Sequence, residues 1–399
     1  MTRPARLGYH RSVPASRSGA RQWIVAGVLL LIALCCRPRA AVAATASYDV
    51  SDQAVVQVIG RGATVTIHTW NRNTVQIDWP DGETFTSSKG TQAGRASFLI
   101  PTVYVQEQGG PEGPTSATLL PEDFPVPKLQ PGMHDVVRVT EVVRPADVGR
   151  PLPPTELTVM IPASTGLVNV RTGKGDVTLD GYHGTTIAVI GRGRVVFNNV
   201  SGDAFVQPLN GNFFATDSTF DRLRIRSNRA DEVFDRCRVK QIEATTLTGN
   251  IMFDNGYFDP GLARFESDRG SIGLGVNGNA QLGVHTQDGH VFTTLPAAPP
   301  LPGAPAIGRA PDSMQVVGSG GPLVNASSTH GNVFLYEGSL AEQRPAVLAP
   351  AWHPMYDLLI ANRGLCRRPV EFRPPPQNRG PQGRGPRGQR WRRAHQPPS

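Results

Sequence analysis

Between residues 167 and 335, apolar side chains fall on alternate positions in short runs, and polar turns separate the runs at a nearly fixed interval. The repeating unit is two alternating apolar positions, a polar turn, and then Gly-(Asp/Asn)-apolar-x-apolar. Its corner residues are Gly175, Gly193, Gly211, Ala230, Gly249, Gly270, Gly289 and Gly331, at spacings of 18, 18, 19, 19, 21, 19 and 42. Period 2 sends successive side chains to opposite faces of a strand. Before the corner the inward pairs are Val168/Val170, Ala204/Val206, Leu223/Ile225, Ile242/Ala244, Ala263/Phe265, Leu282/Val284 and Val324/Ala326. After it they are Val177/Leu179, Val195/Phe197, Phe213/Ala215, Ile251/Phe253, Ile272/Leu274 and Val333/Leu335. Tyr182, Val200, Phe220, Val239 and Phe258 add a third apolar position. So short a unit cannot enclose a core and must stack on its neighbours. The pattern predicts an all-β fold, a right-handed parallel β-helix or β-coil solenoid of about nine short turns. The interval of 42 reads as about two units with a Pro-rich insertion at 296–311, and Ala230-Asp231-Glu232-Val233 reads as a bulge.

Upstream, Ala63 to Trp79 alternates on both sides of Asn71-Arg72-Asn73, which predicts a β-hairpin. Residues 109–132 are Pro-rich and predict a long loop, and Val136 to Val143 and Glu156 to Ile161 resume strand patterning. Residues 44–162 are therefore expected to form an N-terminal β cap with a Pro-rich insertion, protecting the end of a repeat domain at 163–337. A C-terminal segment at 338–366 and a basic tail at 367–399 complete the chain.

Composition sharpens the ends. The formal charge of +8 is unevenly placed: residues 1–40 hold seven Arg and no acid, and 361–399 hold ten Arg against one Glu. The intervening body carries 23 basic and 31 acidic residues and is net negative. With 43 Gly and 36 Pro, the chain favours strands and tight turns over helices. Residues 1–43 have the order of an export signal: a basic stretch to Arg21, an apolar run from Trp23 to Cys36, and Ala41-Val42-Ala43 before Ala44. Cleavage is expected after Ala43, with an uncleaved membrane anchor as the alternative. Either places the body in the periplasm, on the cell surface or outside the cell. The tail from Arg367 has few apolar residues to bury and is expected to be disordered. Beyond the apolar run, the two cysteines Cys237 and Cys366 are open to a bridge or to remaining free.

The hairpin from Val65 to Ile77, the strand Leu157-Thr158-Val159-Met160-Ile161-Pro162, and Gly-Asp-Val-Thr-Leu at Gly175 to Leu179 together resemble the bacterial putative-adhesin family of unknown function. The resemblance covers roughly residues 50–335 and rests on pattern. It implies a β-coil and an envelope location, and it carries over no functional residue.

Candidate sites follow from positions that break the pattern. The outward position after each corner should be polar, yet it reads Val196, Phe214, Phe234, Met252, Phe292 and Phe334, with Thr178 and Gly273 between them. Stacking would align these as an apolar ribbon. Such a ribbon is either covered by the cap, by the insertion or by Trp352 to Ile360, or it meets a partner or a second copy. Arg224, Glu243 and Arg264 on the other strand predict level-to-level ion pairs; Arg222, Arg224 and Arg226 could instead grip an anionic glycan. His285, Asp288, His290 and His330 have metal-ligand chemistry, although His290 occupies the corner slot of Asp176, Asn212 and Asn250 and reads as a turn residue. Asp231 and Glu232 are an acid pair, but neighbours on a strand face opposite ways. No cofactor and no specific nucleic acid are expected. In the tail, Arg384, Arg387, Arg390, Trp391, Arg392 and Arg393 suit contact with an envelope polyanion or the acidic body. These readings favour a non-enzymatic, adhesin-like or scaffold protein over one that binds or cleaves polysaccharide.

Overall fold

The computed structural model describes residues 44–80, 85–93, 133–142, 155–295, 313–343 and 350–366. The export segment 1–43, the stretch 109–132, the insertion 296–311 and the basic tail lie outside the described residues. The described chain is all-β, with a short helix, α1 (His353–Cys366), near its end.

Strands join in two parallel ladders. In the first, β6 (Met133–Glu141), β2 (Val55–Gly60) and β8 (Leu167–Lys174) are followed by the first halves of β10 (Thr185–Asn198) and β11 (Ser201–Thr216). Then come β12 (Thr219–Arg229), β14 (Arg238–Thr248), β16 (Ala263–Arg269), β21 (Leu323–Ser328) and β18 (Ala280–Thr286). The second runs from β7 (Thr155–Pro162) through β3 (Ala63–Trp70) and β9 (Val177–Asp180) to the second halves of β10 and β11. It continues through β13 (Glu232–Asp235), β15 (Ile251–Phe258), β17 (Ile272–Val276), β22 (Val333–Glu337) and β19 (Val291–Thr293). The predicted inward pairs line one continuous apolar core, in which Phe197, Phe213, Phe234, Phe253 and Phe265 are fully buried.

Four departures from the sequence reading stand out. The levels do not follow chain order at either end: β21 and β22 lie between β16/β17 and β18/β19, and β2 and β3 lie between β6/β7 and β8/β9. Every level presents the same alternation, so the pattern does not say which edge a returning strand takes. The interval of 42 is accordingly not two stacked units; of the strands described within it, β20 (Ser313–Val317) pairs antiparallel with β18. The predicted hairpin is two strands that do not pair with each other, because β7 lies between them, parallel to β3 and antiparallel to β4 (Thr74–Trp79). Val159 thereby sits between Ile67 and Ile77, three inward residues in one row. Finally, register shifts fall at Asp221, opposite Gly202/Asp203, and between Phe253 and Gly256, rather than at Ala230.

The corner chemistry explains why the repeat needs its residues. A Cβ on Gly211 would lie 1.8 Å from the carbonyl oxygen of Gly193, and one on Gly270 would lie 1.8 Å from that of Gly249. Glycine is required because neighbouring levels approach backbone to backbone. Buried hydroxyls then satisfy the corner carbonyls: Thr286 Oγ1 donates to Gly331 O at 2.7 Å, Ser328 Oγ to Gly270 O at 2.8 Å and Ser267 Oγ to Gly249 O at 2.9 Å. The next residue bonds forward. Asn212 Oδ1 accepts from the Asp231 N–H, Asp231 Oδ1 from that of Asn250, Asn250 Oδ1 from that of Ser271, and Asn332 Oδ1 from that of His290. A second corner uses left-handed backbone at Gly181, Asn199, Asp217, Arg236 and Asn255, where small or locally bonding side chains predominate.

Candidate functional site

On the outer face of the second ladder, Val196, Phe214, Val233 and Met252 stand in register, followed by Gly273, Phe334 and Phe292. Against the sequence reading, Phe234 points into the core beside Ala215 and Phe253, and Val233 takes the outer place. The adjacent apolar pair Val233-Phe234 leaves the face ambiguous by pattern alone. Choosing Phe234 as outer spared Glu232 an inward position that the structure in fact gives it.

Helix α1 covers the ribbon's middle. Its residues Met355 and Leu359, with Trp352 just before it, are buried in one cluster with Phe214, Val233, Met252, Phe334 and Tyr336. Trp352 packs on Phe334 with ring centroids 4.9 Å apart, and Phe292 stacks on Phe334 at 5.1 Å. Gly273 makes room for the helix, since a Cβ there would lie 2.8 Å from Met355 Cε. Fourteen residues at 1.5 Å rise span about 20 Å. The four level spacings from Phe334 to Phe214 span about 19 Å. Val196 and Phe292, at the two ends, remain half-buried.

A polar clamp fixes the end of α1. Arg363 donates from Nε to Asp235 Oδ2 at 3.1 Å and from Nη2 to Asp235 Oδ1 at 2.8 Å. Nη2 also lies 3.1 Å from Asp254 Oδ2 and 2.9 Å from Ser339 Oγ. Asp254 is fully buried, and it accepts from Tyr336 Oη at 2.8 Å, the Leu340 N–H at 2.8 Å and Ser339 Oγ at 2.7 Å. Burial raises the Asp254 carboxyl above its ordinary range, while these donors and Arg363 pull it back. Beside the clamp lies a half-open cavity of about 100 Å³, walled by Asn198, Thr216, Asp217, Arg236, Asn362 and Arg363 among others. Arg236 pairs with Asp217 at 2.7 Å and also with Asp235. None of Asp235, Asp254 and Arg363 was singled out by the sequence reading. A signal was present, because Phe-Asp recurs at 234–235 and 253–254 in the same slot.

The other candidates fall as follows. Glu232 lies in the inward column between Phe213 and Ile251, fully buried, and Ser227 Oγ donates to its Oε1 at 2.9 Å. Its Oε2 has no hydrogen-bond partner, and burial pushes the carboxyl up to about 8. Asp231 instead faces the corner, where it bonds Asn250, so the two acids do not share a centre. Arg224 pairs with Glu243 at 2.6 Å across levels, whereas Arg264 turns to Glu266 on its own strand at 2.5 Å. Arg222 pairs with Asp203 at 2.7 Å and Arg226 with Glu243 at 3.4 Å. His330 Nδ1 lies 2.7 Å from Asp288 Oδ2, and the backbone N–H of His290 serves the corner ladder. Among the described residues, no three His, Cys, Asp or Glu side chains converge as a metal site. Cys237 is a buried free thiol, and burial raises its ionisation to about 12. The six tail residues Arg384 to Arg393 lie outside the described residues.

Among the described residues, no helix is long and apolar enough to cross a membrane. No family model and no curated protein matches the chain. A solved structure of a putative cell adhesion protein from Clostridium sporogenes aligns with 74% of this chain and 99% of its own. At 8% identity and a TM-score of 0.22, that likeness carries no argument about fold or function.

Proposed function

We propose that the protein is a non-catalytic, exported envelope protein. Its body is a β-coil serving as an adhesin-like or scaffold module, and its basic tail contacts polyanions. One observation carries the reading: the polar side chains at the corners and outer faces bond from level to level. The Asn212–Asp231–Asn250–Ser271 run is one such series, and the Asp176–Arg194, Asp203–Arg222, Arg224–Glu243 and Arg238–Asp259 pairs are another. Surface chemistry of this kind holds a stack together and stiffens it. Individually, exposed pairs contribute little; repeated at each level, they favour one register. Membership of the putative-adhesin family would fit the same body.

Export rests on the order of residues 1–43, and β1 (Ala44–Asp49) pairs antiparallel with β4. A test compares binding to cell-envelope fractions by the full chain and by a chain ending at Cys366. The full chain should bind, the shorter chain should bind much less, and the difference should shrink from low to moderate salt. Equal binding by both chains, or release of sugar from envelope polysaccharide, would overturn the proposal.

A further inference from the structure

The position just before each corner residue lies at the rim of the stack. Lys174 pairs there with Arg192, Arg192 with Asn210, and Arg229 with Thr248, which pairs in turn with Arg269. An offset of 19 residues holds before the next corner, where Ala204 meets Leu223, and after it, where Phe213 meets Glu232, so Arg229 lies beside Asn210. The result is one row along the corner. Lys174, Arg192, Arg229 and Arg269 are exposed in it, and Asn210 and Thr248 take the two levels between the arginines. Levels are about 4.8 Å apart, so the three arginines recur at about 10 Å. No acid stands in these six places, although the body as a whole has more acids than bases. Asp268 is the neighbour of Arg269 on the same strand, 3.8 Å away. Arg192 and Arg229 already have partners, but a guanidinium carries five N–H donors, so an existing contact leaves donors for a ligand oxygen.

Between the charges the row offers a different chemistry. Leu209 and Leu247 precede Asn210 and Thr248; Leu247 is 56% exposed and Leu209 is half-buried. A cation therefore alternates, level by level, with an apolar side chain next to a hydrogen-bonding one. An extended glycan in which every second sugar carries a carboxylate repeats on the same scale, since two sugar residues are about as long as two levels. Arginine meets a carboxylate through two parallel hydrogen bonds. Asn210 and Thr248 can bond hydroxyls, and a leucine suits the C–H face of a sugar ring. Nucleic acid fits less well, because its charges recur roughly every 3.4 Å along a duplex strand with no neutral unit between them. We propose that this corner row binds a linear anionic polysaccharide with one carboxylate on every second sugar, laid along the stack. It is a contact separate from the basic tail, and with fewer cations it supplies the smaller share of the affinity.

The probe is a hyaluronan octasaccharide, in which glucuronate alternates with a neutral sugar, carrying diazirines on its neutral sugars. It is illuminated with the full chain, and the joined peptides are mapped. Labels should fall on the peptides holding Leu209–Asn210 and Leu247–Thr248 as well as on the tail. Arg192→Gln, Arg229→Gln and Arg269→Gln together should lower the body labels several-fold and leave those on 367–399 unchanged. Arg192→Lys, Arg229→Lys and Arg269→Lys together should keep the greater part of them. Both sets should keep the wild-type melting temperature, because all three side chains are exposed. Body labels without tail labels would support the row and count against the tail. Body labels that are absent, that persist in the glutamine set, or that an oligodeoxythymidylate competes away as readily as the unlabelled octasaccharide would each overturn the proposal.

Discussion

Replacing Glu232 with leucine should stabilise the protein at neutral pH, by an amount that fades in acid. The carboxyl is fully buried in a column otherwise filled by Val195, Phe213, Ile251 and Ile272, and one of its oxygens has no partner. Burial, with a smaller contribution from the charge on Asp231, lifts it from an ordinary 4.5 to about 8. Below pH 4.5, folded and unfolded chains both hold the proton, so Glu232 makes stability no more pH-dependent there. Between 4.5 and 8 the unfolded chain ionises first and the folded chain binds more protons, so stability falls as pH rises. At 1.36 kcal/mol per unit, the loss reaches about 5 kcal/mol by pH 8 and is flat beyond it. Urea unfolding of wild type and Glu232→Leu at pH 5, 6, 7 and 8 would measure the gap. The gap should widen by about 1.4 kcal/mol per pH unit. Glu232→Gln should follow the same slope from a lower starting level, since its amide brings polar atoms to the same place. A gap independent of pH would show that Glu232 is solvated or paired in solution, and the inward assignment of Glu232 would fail with it.

The corner geometry predicts that Gly211→Ala costs about 3 kcal/mol or prevents folding, because the new methyl meets backbone. Gly90→Ala, whose Cβ meets nothing within 4 Å, should be close to neutral, and thermal melts of the two variants beside wild type check both. Arg363→Met leaves the fully buried Asp254 without its cation and leaves Asp235 with Arg236 alone. It should cost about 3–5 kcal/mol of helix docking and speed amide exchange in 353–366, with little change in β14 or β16. The order of the levels can be checked with spin labels in a Cys366→Ser background. Asp176→Cys to Asn332→Cys spans six level spacings, or about 29 Å, and Asp176→Cys to His290→Cys spans seven, or about 34 Å. The opposite ranking would restore stacking in chain order.

Much of the body was legible because the constraint that shapes it is local. A corner that must pass under the carbonyl of the level below accepts glycine at Gly193, Gly211, Gly249 and Gly270, so the interval appears directly in the sequence. The inward pairs were readable for the same reason, since each strand alternates within a few residues of its corner. Order along the stack was not readable: Val333 pairs with both Ile272 and Val291, and nothing in the alternation of 280–293 or 323–337 distinguishes the two placements. Glu232 was misplaced because pattern reading assumes that acids stay outside. The structure accepts the cost of one buried carboxyl to keep Phe234 among Phe213, Phe253 and Phe265. The clamp was missed because Arg363 lies 128 residues from Asp235 and 109 from Asp254, and only the fold brings them together.

The ribbon and its cover decide how this surface can meet another molecule. A ribbon that crosses strands level by level runs along the stack, so another strand of the sheet cannot cover it, whereas a helix laid across the strands can. With α1 in place, Phe214, Val233, Met252 and Phe334 are withdrawn from solvent, and self-association through them requires the helix to leave. Leaving would expose those four side chains together with Trp352, Met355 and Leu359, and it would strip Arg363 from Asp235 and Asp254. Each broken contact opposes release, so the docked state is strongly favoured. Contacts that do not displace α1 are confined to the ribbon's ends, where Val196 and Phe292 remain half-buried. Phe292 is already stacked on Phe334, which leaves the Val196 end as the more open of the two.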